Sequence, residues 1–146
     1  MPKTLAERKL DDATILAAVM LATVGDAPPS APYTCADVSR NLAILARSGA
    51  TSVSNFHLTP GGDFSDDVVR FIADGESLHY FEIAAGGGRF RCLPEGQAFI
   101  RRLVLKAAAH QDKYIAVEMT HVAFSLGIDL THLAWDWVRE TTVDKD

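Results

Sequence analysis

Apolar positions along the chain change period several times, and each change marks an element. Asp12 to Val24 is almost continuously apolar, which predicts a helix buried on most of its sides. Asp11 or Asp12 can accept hydrogen bonds from its free N–H groups, and Gly25 suits its end. Asp26 to Pro32 holds three prolines in five residues and predicts a loop. Thr34 with Asp37 three residues on forms a capping-box pair that opens a second helix over 35–48. There Val38, Leu42 and Leu45 share one face, and Gly49 ends the run. From Ala50 to Asp63 the pattern lapses, with turn chemistry at Pro60-Gly61-Gly62. Ser65 then caps a short amphipathic helix over 66–74, with Val68, Val69 and Ile72 inward and Gly75 as its stop.

Next the period becomes that of a strand. Leu78 to Ile83 and Arg89 to Leu93 flank the tip Ala84-Ala85-Gly86-Gly87-Gly88. Aromatic-rich runs about a glycine cluster predict a β-hairpin. Arg89 and Arg91 alternate with Phe90 and Cys92, which sets both arginines on one face. After Pro94-Glu95-Gly96 no glycine or proline interrupts the chain until Gly127. That stretch permits one long helix, or two broken near His110-Gln111-Asp112. A last helix follows from about Leu130 to Glu140, started by Asp129 or a neighbour. The fold class expected is α+β: a mainly helical domain with one hairpin at 78–93. Residues 1–103 form its core, and 104–146 form a helical extension packed on that core.

Composition narrows the classes. Of 146 residues, 48% are hydrophobic and 23% charged, which excludes a disordered chain. Cys35 and Cys92 are too few for a disulfide scaffold and are expected as free thiols. Ala13 to Val24 is about half of the ~20 apolar residues that a spanning helix needs, so no membrane association is expected. Lys3, Arg8 and Lys9 ahead of that stretch imitate a secretory signal. Glu7, Asp11 and Asp12 stand against it, which leaves the cytoplasm as the expected location.

The net charge of −5 is unevenly spread. Arg89 to Lys113 carries six basic residues and two acids, a balance of +4 against −9 in the remainder. Phosphate contact is therefore confined to one patch, in which Arg89, Arg91, Arg101 and Arg102 are the candidates. The competing reading is a charged strand edge that discourages aggregation.

The order helix, helix, short helix, hairpin, long helix resembles a winged helix-turn-helix. DDVVRFIADG leads into LHYFEIAAGGGRFRCL, and PEGQAFIRRL resembles that family's exit from its wing. The spacing also resembles YwgA-like and SocA-like antitoxin relatives of the winged helix, on a comparison of Phe56 to Ser65 with their F-x-x-x-P-x-G-x-x-S stretch. The resemblance spans at most Ala13 to Leu103. Two features depart from it. Leu93 stands where the family places a capping threonine, so that cap must come from elsewhere. Roughly 17 residues separate Arg47 from the helix after Ser65, where a DNA-reading turn has about 3–4. That helix also carries Asp66, Asp67 and Asp74 against Arg70 alone, a charge pattern that phosphates repel.

The resemblance implies a non-catalytic regulatory module acting through a protein partner, adaptor- or antitoxin-like. The alternative is a DNA-binding transcriptional regulator. A distant third is a metal-dependent enzyme built on Glu118 and His121. His110, His121 and His132 are eleven apart, with Glu118 and Asp129 each three residues before a histidine. Bundle metal sites use such pairs but need a matching Glu-x-x-His pair on a facing helix, and none is found. Gly86-Gly87-Gly88 lacks the Gly-Lys-Ser/Thr ending of a phosphate loop, and no serine sits in a nucleophile elbow. No enzyme, cofactor or metal is expected. Tyr114 to Leu126 carries two apolar stripes: Ile115, Met119, Val122 and Leu126 on one side, Val117 and Phe124 on the other. In the last helix Leu130, Leu133, Ala134 and Trp137 form the inward line and Trp135 points away. Val117, Phe124 and Trp135 are therefore the candidate interface of a homodimer.

Overall fold

The computed structural model describes residues 10–25, 27–48, 56, 58–59, 64–86 and 88–135. In chain order they form α1 (Asp12–Val24), β1 (Pro32–Tyr33), α2 (Cys35–Arg47), α3 (Asp66–Ser77), β2 (Phe81–Ile83), β3 (Phe90–Cys92), α4 (Pro94–Ala108) and α5 (Lys113–Leu126). A further helix starts at Leu130 and is described as far as Trp135. The fold is α+β, mostly helical, with a small antiparallel sheet in the order β1-β3-β2.

α1 is the centre of the core. Nine of its thirteen residues are buried, and it packs on α2, α3, α4 and α5. Its start is capped as the pattern predicts, the Asp11 carboxylate accepting the Thr14 N–H at 2.8 Å. α2 opens on a complete capping box: Thr34 Oγ1 accepts from Asp37 N–H at 3.2 Å, and Asp37 Oδ2 from Thr34 N–H at 2.9 Å. Side chains then bind the end of α1 to its neighbours. Asn41 donates to Thr23 Oγ1 at 2.8 Å, the Tyr33 hydroxyl to the Val24 carbonyl at 3.3 Å, and Gln97 to the Ala27 carbonyl at 3.2 Å.

Several expectations are corrected. Pro32 belongs to β1 rather than to the loop before it, because Pro32 and Tyr33 pair with Arg91 and Phe90. α3 does not stop at Gly75 but runs on to Ser77. Gly75 is buried inside it because the Phe81 ring lies where a Cβ would stand. Val69 is exposed rather than inward, while Val68 and Ile72 are buried. The hairpin strands are also shorter than 78–93. Leu78 to Tyr80 form a turn in which His79 takes a positive φ of 63°. The 97–126 stretch takes the second of its two expected forms, two helices broken over 109–112, and α4 continues through 103/104. Ala134 is exposed rather than inward, while Leu133 is buried. Gly49, the Pro60-Gly61-Gly62 turn and Trp137 lie outside the described residues.

Candidate functional site

α3 and the hairpin form the first surface. Ser65 occupies the N-cap position of α3, although its hydroxyl reaches Asp67 Oδ2 at 3.4 Å instead of a backbone N–H. With Val68 and Ile72 turned inward, the helix exposes Asp66, Val69, Arg70, Ala73 and Asp74. Glu76 is exposed too, and its carboxylate accepts the backbone N–H of Ile83 at 3.0 Å, joining α3 to β2. On β3, Phe90 and Cys92 are buried while Arg91, and Arg89 just before the strand, face solvent. Arg91 pairs at 3.1 Å with Glu82, its register partner on β2. With both side chains half exposed, such a pair contributes about 0–1 kcal/mol, but it offsets the charge that a phosphate would meet. Arg89 borders a notch of about 90 Å³ between α3 and the hairpin, together with Cys35, Val69, Ile83 and Phe90.

The arginines of α4 sit differently. Leu93 holds the N-cap position without a side-chain bond; Pro94 follows it and brings no N–H to be satisfied. Arg102 lies over the Phe99 ring at 5.8 Å, and Phe99 stacks on Tyr80 at 4.4 Å. Arg101 donates to Gln97 at 3.4 Å and lines a cleft of about 230 Å³ with Leu21, Leu126, Asp129 and His132. The four sequence candidates are thus spread over the hairpin face, the outside of α4 and this cleft. Burial pushes the Cys92 thiol up from the ordinary 9.0 to about 12, against a smaller opposing effect of Arg101. Cys35 is also raised by burial. Both sulfurs are free thiols, and burial favours the neutral form of each.

The histidine spacing resolves partly into helix capping. Asp129 accepts the His132 N–H at 3.1 Å at the start of the last helix. Asp112 caps α5 through Tyr114 N–H at 2.9 Å, and its own N–H donates to His110 Nδ1 at 3.0 Å. His121 is exposed. Among the described residues no three of His, Cys, Asp and Glu group closely enough to hold a metal ion. Nor is any described helix long and apolar enough to cross a membrane.

The C-terminal third presents the second surface. On α5, Met119 and Val122 are buried and Ile115 and Leu126 half-buried, as the inward stripe requires. Val117 is 67% exposed and Phe124 86% exposed on the other side. Trp135, also 67% exposed, walls a groove of about 590 Å³ with Leu105, Ala108, Ala109 and Leu130, to which no α5 residue contributes. Sequence reasoning missed Tyr114, 56% exposed, as a member of the outer stripe of α5. Its spacing of three from Val117 was the available signal. It also missed the groove, which arises only when α4 meets the last helix, and the cleft, which needs α1 and the end of α5 as well. No family model, curated protein or solved structure matches this chain.

Proposed function

We propose that this chain is a non-catalytic regulatory module of winged-helix type that works through a protein partner, in the manner of an adaptor or antitoxin. The order α1, α2, short α3, hairpin, α4 supports the fold reading. The observation that carries the functional reading is the exposed face of α3. A helix entering a DNA groove must pass between phosphates. The one following the α2–α3 connection offers Asp66, Asp74 and Glu76 against Arg70. The uncovered apolar side chains Val117, Phe124 and Trp135 are the kind that protein surfaces bury.

The test measures retention on duplex DNA at low salt, beside capture of partners from the native host with co-captured nucleic acid quantified separately. No duplex retention, with a protein captured free of nucleic acid, is the expected result. Retention that falls steeply with salt would overturn it in favour of the second reading, a DNA-binding regulator. The exposed Arg89 and Arg91 on the hairpin favour that second reading. It requires Arg89→Ala with Arg91→Ala to weaken binding and flatten the salt dependence.

A further inference from the structure

We draw no further inference here: the strongest candidate, the cleft that Arg101, Asp129 and His132 line where the end of α1 meets α4 and the start of the last helix, carries nothing, because nothing in the structure shows what ligand or segment covers it.

Discussion

Replacing Gly96 by alanine should be among the most damaging one-carbon changes in the chain. Gly96 is the third residue of α4 and is buried. A Cβ there would collide with the backbone carbonyl oxygen of Tyr80, with the carbonyl carbon at 2.8 Å and the Cα at 3.1 Å. The obstacle is backbone and is pinned from three sides. Tyr80 N–H donates to the Gly75 carbonyl at 2.9 Å, its carbonyl accepts from Leu93 N–H at 2.9 Å, and its ring stacks on Phe99. Relief therefore means lifting the first turn of α4 off the start of the hairpin. Overpacking of this kind costs about 1–3 kcal/mol. Losing the Leu93–Tyr80 hydrogen bond adds about 1 kcal/mol, and the better helix propensity of alanine returns about 1 kcal/mol. The net is about 2 kcal/mol, a fall in Tm of about 6–8 °C for a chain of this length. Thermal unfolding followed by circular dichroism measures it against Gly88→Ala, where an added Cβ meets nothing within 4 Å. Equal Tm values for the two variants would refute the close-approach argument.

Other perturbations test other levels of the structure. Thr34→Ala removes one half of the capping box of α2 and should cost about 1 kcal/mol, with Asp37→Ala adding less than its own single effect because the two bonds form one unit; a double-mutant cycle in urea reads both. Native Cys92 should resist alkylation at neutral pH while Cys35, half-buried, reacts slowly, as mass spectrometry after timed labelling would show; rapid Cys92 modification without unfolding contradicts its burial. Because the folded Cys92 thiol is raised from 9.0 to about 12, its contribution to stability is intact below pH 9 and is lost as pH climbs toward 12, where the unfolded thiol ionises first. Cys92→Ala should therefore flatten the alkaline limb of a stability–pH curve, and an unchanged limb would assign it to other groups.

What the sequence revealed and what it hid follows from the range of the interactions. Both ends of α1 and the start of α2 were legible because their caps are local: Asp11, Gly25 and the Thr34–Asp37 pair act within four residues. The hairpin was legible because its glycines and its alternation lie in one continuous stretch. β1 was not, since Pro32-Tyr33 is a strand only by pairing with residues almost sixty positions away. The passage of α3 through Gly75 was hidden for a similar reason, the Phe81 ring that favours glycine there coming from the next element. Of the candidate surfaces, the outer stripe of α5 could be read from periodicity. The separation of Arg101 from the hairpin arginines could not, because it depends on how α4 rotates against α1.

The hydrogen bond from Ile83 to Glu76 has a consequence for assembly. Ala84 N–H bonds to Arg89 across the hairpin, so the neighbouring Ile83 N–H points to the open side of β2. A side chain of α3 already fills that position, and the opposite edge of the sheet is a two-residue strand beginning with a proline that has no N–H to offer. Neither border gives an incoming peptide a row of free donors and acceptors on which to lay down another strand. Growth of the sheet into a fibril is blocked at the same two places. Among the described residues, a peptide that bound β2 by extending the sheet would first have to pull Glu76 away from the Ile83 N–H.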